Sequence, residues 1–265
     1  MYFRIQLAIK YFSYYFSASN GKGHGTHSPF VYDFIIDVLN DPTVYADYAR
    51  VEVQRAKMLA DKRILSITDF GAGSSNSSSN QRGIASIAGS AVKPKKYGQL
   101  LYRMVRKYHP SSILELGTSL GITSSYMALG NSQASMITLE GADEIAAVAK
   151  NNFRALGLKS IELVQGDFKQ TLPGVLSRSP TLDFVFVDGN HRKEPTLDYF
   201  NQLLPKAGPE SILIFDDIHW SREMEEAWAL IKSHPSVKCA IDLFFIGIIF
   251  FREEFKEKQD FTIRF

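Results

Sequence analysis

From residue 94 onward, short apolar runs alternate with longer stretches whose apolar residues recur every three or four positions. The runs are "SILELG" (112–117), "MITLE" (136–140), "IELVQ" (161–165), "LDFVFVD" (182–188) and "SILIFDD" (211–217). Runs this short, bounded by polar residues, read as strands, and the stretches between them have helical length. One of these, "GADEIAAVAKNNFRALG" (141–157), ends on a glycine stop. Strands that are apolar almost throughout are covered on both faces, and a strand–helix–strand rhythm implies parallel pairing. After Trp220 comes one more helix, then "CAIDLFFIGIIFFR" (239–252), which reads as two further strands with Gly247 inside it. The final "FTIRF" (261–265) offers an edge strand. The pattern predicts an α/β fold: a doubly wound, mostly parallel, seven-stranded Rossmann-like sheet.

Before residue 94 the pattern is helical. "SPFVYDFIIDVLN" (28–40) has Ser28 at the N-cap position and Pro29 in the first turn, and 44–65 continues with many charges on one face. The first twenty residues, "MYFRIQLAIKYFSYYFSASN", are interrupted by Arg4, Gln6 and Lys10, too broken for a membrane span. They also lack the unbroken apolar core of a signal peptide. They read as an aromatic-rich amphipathic helix packed on the body of the protein, with a membrane-surface helix as the alternative. The Ser/Gly/Asn-rich stretch 71–83 reads as a mobile loop, and "DFGAGS" (69–74) as a lid or hinge. The expected organisation is a helical N-terminal extension over 1–93 and a ligand-binding domain over 94–265.

Charge and cysteine content exclude some function classes. Thirty basic against twenty-eight acidic residues give a formal +2, so charge does not mark a nucleic-acid binder. The single cysteine, Cys239, excludes an intramolecular disulfide and fits a reducing compartment. A cytoplasmic location is expected, with no stable membrane insertion, and the aromatic N-terminus leaves a homodimer open.

In doubly wound sheets, ligands bind beyond the carboxyl ends of the strands. The first run leads into "ELGTSLGITS". A dinucleotide loop wants G-x-G-x-x-G; only Gly117 fits, with Ser119 and Ile122 in the other two places. The loop of Gly117, Thr118, Ser119 and Gly121 still brings backbone close to a ligand without Cβ obstruction. Glu115 before it suits a cationic ligand with an amino group, not a pyrophosphate. Glu140, ending the second run ahead of Gly141, can accept from ribose hydroxyls. Asp167 can accept from an adenine amino group while Phe168 packs on the ring; the plainer role for Asp167 is a helix cap. The fourth and fifth runs deliver Asp188 with His191, and Asp216 beside Asp217. Neighbouring strands lie about 4.8 Å apart, so these carboxylates can converge, and all three stay ionised only with a cation. Oxygen-only ligands favour Mg2+ or Ca2+.

The acid followed by a G-x-G/S-x-G loop (Glu115, Gly117, Ser119, Gly121) resembles the first motif of class I S-adenosylmethionine-dependent methyltransferases. From Ile113 to Trp220 the chain looks like the cation-dependent O-methyltransferases of catechol and caffeoyl-coenzyme A type. That resemblance implies S-adenosylmethionine held by Glu115, Gly117, Thr118, Ser119, Gly121, Glu140, Gly141, Asp167, Phe168 and Asp188. It implies a metal on Asp188, Asp216 and Asp217, where the family has Asp, Asp and Asn. His191 stands where the family has its catalytic Lys, and an imidazole titrating near neutrality suits the base that works beside Asp188. The implied reaction is methyl transfer to an oxygen of a small hydroxyl-bearing acceptor. Metal-free bacterial relatives with "DGxH" at this place are similar as well. A nicotinamide dehydrogenase is disfavoured by the missing glycines and by Glu115; an N-methyltransferase or a non-catalytic adenosyl-binding module of the same fold stays open. In "GHGTHSPF" (23–30), His24 and His27 lack a third zinc ligand. The sharper reading has this loop folding over the acceptor with His27 or Ser28 in contact; the plainer one has it anchored to the core.

Overall fold

The computed structural model describes residues 1–67, 81–90 and 92–265. The N-terminal part holds helices α1 (Arg4–Ser17), α2 (Pro29–Phe34) and α3 (Ala46–Ala60), with a π-helical turn, Ile35–Leu39, extending α2. A small antiparallel pair, β1 (Ile64–Ser66) and β2 (Gln81–Gly83), and helices α4 (Ile84–Ser90) and α5 (Lys95–Tyr108) follow. Strand and helix then alternate: β3 (Ser112–Leu116), α6 (Ile122–Gly130), β4 (Ser135–Glu140), α7 (Asp143–Leu156), β5 (Ile161–Gln165), α8 (Phe168–Arg178). The alternation continues with β6 (Leu182–Val187), α9 (Lys193–Leu203), β7 (Ala207–Asp216) and α10 (Arg222–Ser233). Three strands close the chain: β8 (Cys239–Asp242), β9 (Ile246–Phe250) and β10 (Gln259–Thr262). The expected lid at 69–74 and most of the loop at 71–83 lie outside the described residues; Gln81–Gly83 form a strand instead.

The main sheet has eight strands, one more than the seven expected. The eighth is β10, which begins two residues before the expected edge strand and runs parallel to β8. The chain divides into two compact units, Met1–Asp41 with Ser179–Phe265, and Pro42–Arg178. That division differs from the expected boundary at residue 93. The first helix meets Phe244 and the Ile263 carbonyl near the end of the chain, whereas α3 packs with helices α4, α5 and α6.

In the first unit the strands run in the order β10-β8-β9-β7-β6. Ile212, Leu213, Ile214 and Phe215 of β7 are all buried, as a strand covered on both faces requires. β6 and β7 are parallel, and their register sets Val187 opposite Phe215. The next residues on the two strands, Asp188 and Asp216, therefore come level. Helix α1 docks on this unit through buried Tyr14, whose hydroxyl donates to the Ile263 carbonyl and whose ring meets Phe244. Tyr2 and Lys10 both donate to Glu225 of α10, at 2.6 and 2.9 Å. Glu225 also meets His219, whose other ring nitrogen lies 2.8 Å from Asp242; Asp242 in turn accepts from Trp228. Burial alone would lower the His219 pKa, but its two carboxylate partners outweigh it and raise the value. Cys239 is buried in β8, and desolvation pushes its thiol up to about 12.

In the second unit β3, β4 and β5 are parallel. Tyr48 and Val51 of α3 pack on Tyr102 of α5 and on Ile122 and Tyr126 of α6. Val51 and Ile122 each contribute roughly 1.5–3 kcal/mol by leaving water. Helix α7 ends at Gly157 in the left-handed conformation (φ 73°), the stop that the sequence announces.

Candidate functional site

The second unit carries the glycine loop. Gly117, Ser119 and Gly121 have φ of 105°, 47° and 78°, so every second residue is left-handed. That alternation explains the glycines, since only glycine adopts it without strain, and it marks Ser119 as the strained member. The backbone N–H groups of Gly117 and Thr118 both donate to the Leu139 carbonyl of β4. Ser119 N–H donates 2.8 Å to Glu140 Oε2, and Ala142 N–H donates 3.0 Å to Oε1. Glu140 thus fastens the loop to the end of β4. Its side chain is half-buried. Gly141 follows it, also half-buried.

Glu115 lies beneath the loop and is wholly buried. Oε2 accepts from Ser124, and from Thr138 at 2.6 Å; Thr138 in turn shares a 2.5 Å hydrogen bond with Thr118 of the loop. Oε1 is buried with no hydrogen-bond partner among the described residues. Burial, reinforced by Glu140 and opposed by the two hydroxyl donors, raises this carboxyl to about 8. An orphaned buried acceptor, a bare-backbone loop and a half-buried acid fit a ligand with an ammonium group and a sugar diol. Asp167 Oδ1 accepts from the Lys169 backbone N–H at the start of α8. Its neighbour Phe168 is half-buried.

The first unit carries the other candidate group. Ligand-type atoms of Asp188, His191 and Asp216 lie within 4.8 Å of one another. His191 Nε2 is 3.5 Å from Asp188 Oδ1, and Asp216 is buried. Asp217 is not in the group. It has a left-handed backbone, and its N–H donates to the Phe245 carbonyl at 2.7 Å. Asn190 and His191 are left-handed as well (φ 65° and 24°), so strained backbone gathers after both strand ends. Two carboxylates and an imidazole are a donor set that can hold a divalent cation. His24 and His27 are exposed, and Ser28 is buried at its helix start without a side-chain cap bond.

Two polar features of the second unit escaped sequence reasoning. Gln54 of α3 donates 2.6 Å to Asn152 of α7, and Asn152 donates 2.8 Å to the Leu120 carbonyl inside the glycine loop. Thr118, Thr138 and Ser124 form the hydroxyl chain on Glu115. Only Thr118 stood in the expected set. The alternating glycines hint that the loop needs outside support, but nothing local names the supporters.

Residues 114–218 match the family described as a methyltransferase domain. That span contains every residue expected at the cofactor, catalytic and metal positions. The O-methyltransferase imqG of Aspergillus flavus is 30% identical over 111 residues, 40% of this chain and 44% of that protein. The chain therefore spans less than half the length of that relative. A Podospora anserina methyltransferase solved with S-adenosylhomocysteine is similar in structure, with TM-score 0.59 and 14% identity over 96% of this chain and 98% of that one. An O-methyltransferase from Bacillus cereus, also solved with S-adenosylhomocysteine, gives TM-score 0.55 and 20% identity over 83% of this chain and 97% of that one. The fold is that of these solved enzymes, and residues 114–218 are similar to the methyltransferase-domain family.

Proposed function

We propose that the protein transfers the methyl group of S-adenosylmethionine to a hydroxyl oxygen of a small acceptor. The carrying observation is the Gly117–Gly121 loop, left-handed at alternate positions and tied to Glu140, above a buried Glu115 with one unpartnered oxygen. Glu115 and Glu140 would meet the ammonium group and the ribose diol. Asp167 and Phe168, which follow the next strand, would meet the adenine. The relatives' names support the oxygen acceptor.

When bound, S-adenosylmethionine supplies a sulfonium methyl: a C–O bond forms as the C–S bond breaks, and the electron pair stays on sulfur. The acceptor's hydroxyl proton goes to His191 or to Asp188 beside it. The main task of the chain is alignment of acceptor oxygen, methyl and sulfur. Asp188, Asp216 and His191 would hold a divalent cation if one assists. Including an imidazole moves the preference from Ca2+ toward Mn2+ or Zn2+. With Asp188 and His191 both on the metal, the proton would pass to water.

The test is a methyl-transfer screen over catechols, phenols, sugars and amines, with Mg2+, Mn2+ or chelator. Transfer to oxygen is expected, falling roughly 100-fold in His191→Gln and Asp188→Asn. Transfer to amines alone would replace the oxygen acceptor, and no binding of S-adenosylmethionine in calorimetry would end the reading.

A further inference from the structure

Helix α1 turns a stripe of large apolar side chains to solvent. Ile5, Ile9, Phe12 and Phe16 are 76%, 64%, 62% and 78% exposed, and their spacing of four, three and four residues places them on one face. Phe3 and Met1 extend the exposed apolar surface at the N-terminal end. The opposite face is what holds the helix down: Tyr14 is buried, Tyr11 packs on Phe244 and Phe245, and Tyr2 and Lys10 grip Glu225. The stripe is therefore not needed for docking α1 on its own unit.

The charge carried by the segment itself has one sign, with Lys10 already paired to Glu225. The first acidic residue of the chain is Asp33, and before it stand Arg4, Lys10 and Lys22. Arg4 and Lys22 are exposed, and the Arg264 guanidinium lies 4.5 Å over the Tyr15 ring at the end of the helix. We propose that this face of α1 is a reversible docking surface for an anionic lipid bilayer. Lying flat, the stripe enters the boundary between headgroups and acyl chains while the basic residues meet lipid phosphates.

A second copy of the chain fits less well. The 14 residues of α1 make two heptads, short of the three to four over which such a seam holds a helix pair. The segment also has no acid to set against a partner's Arg4. No helix among the described residues is long and apolar enough to cross a membrane, so attachment is to the surface.

The experiment is co-sedimentation of the full chain with vesicles of phosphatidylcholine alone, or mixed with phosphatidylglycerol. Binding is expected to the mixed vesicles, weaker by about tenfold or more on phosphatidylcholine alone and at high salt. The Ile9→Ser/Phe12→Ser/Phe16→Ser variant, with circular dichroism and Tm unchanged because all three sites are exposed, should lose binding by about tenfold or more. Arg4→Glu is a milder second variant and should weaken binding without touching the stripe. Failure of the native chain to pellet with the mixed vesicles, or equal binding by the triple variant, overturns the proposal. A chain pair in light scattering that the triple variant dissolves, with no vesicle binding, gives the stripe to a second copy and overturns it too.

Discussion

Glu115 keeps a carboxyl where water does not reach, and two hydroxyl donors are too few to hold it at its ordinary pKa. Its proton is retained to about pH 8, against 4.5 for an ordinary glutamate carboxyl in water. Between those values the folded chain carries a proton that the unfolded chain has lost. Stability therefore falls as pH rises through this window and is untouched by this group below it. Glu115→Gln removes the effect. The variant should gain on the native chain as pH rises from about 5 to about 8, by an amount on the order of 4 kcal/mol. Urea midpoints at the two pH values measure it, and equal midpoint differences would place the proton elsewhere. At Asp216 the prediction concerns ligands. Asp216→Ala should weaken divalent-cation binding by roughly 10- to 100-fold in calorimetry with Mg2+ and Mn2+. Unchanged binding there would take the cation away from this cluster.

Glycines and polar ladders decide how well the elements hold the loop. A Cβ on Gly121 would lie 2.6 Å from the Phe153 ring, at a φ of 78° that side chains rarely adopt. Gly121→Ala should cost about 1–3 kcal/mol and lower Tm, whereas Gly174→Ala, with nothing within 4 Å, should cost nothing. The strand ends were legible because an apolar run followed by an acid is a local signal, and Glu115, Glu140, Asp188 and Asp216 all fall there. β10 was harder to bound: "QDFT" has a single apolar residue, since an edge strand need bury little. The ladder from Gln54 through Asn152 to Leu120 was illegible because its members come from two helices and a loop with no shared period. The same holds for His219, which looks like a neighbour of the aspartates in sequence but turns to Glu225 and Asp242. Adjacency suggests a shared role with Asp216, whereas Asp217 has a left-handed backbone and stands outside the cluster of Asp188, His191 and Asp216.

On the scale of the whole molecule, both chain ends belong to one unit. Ser19 N–H donates to the Thr262 carbonyl, and Tyr14 reaches Ile263. Tyr2→Phe together with Lys10→Ala should free α1 from Glu225 at a cost of about 1 kcal/mol, modest because Lys10 is over a third exposed. Faster amide exchange across Arg4–Ser17, with β6 and β7 unchanged, would report it. Cys239 has a different use. The chain's only thiol is sealed in β8, with a pKa near 12, so almost none of it is thiolate while that strand stays closed. Every alkylated molecule is one that has opened. Labelling rates with iodoacetamide across a urea series should therefore follow global unfolding, and a urea-independent rate would mean that β8 opens locally. The protein carries its own clock for breathing, with no reporter to engineer.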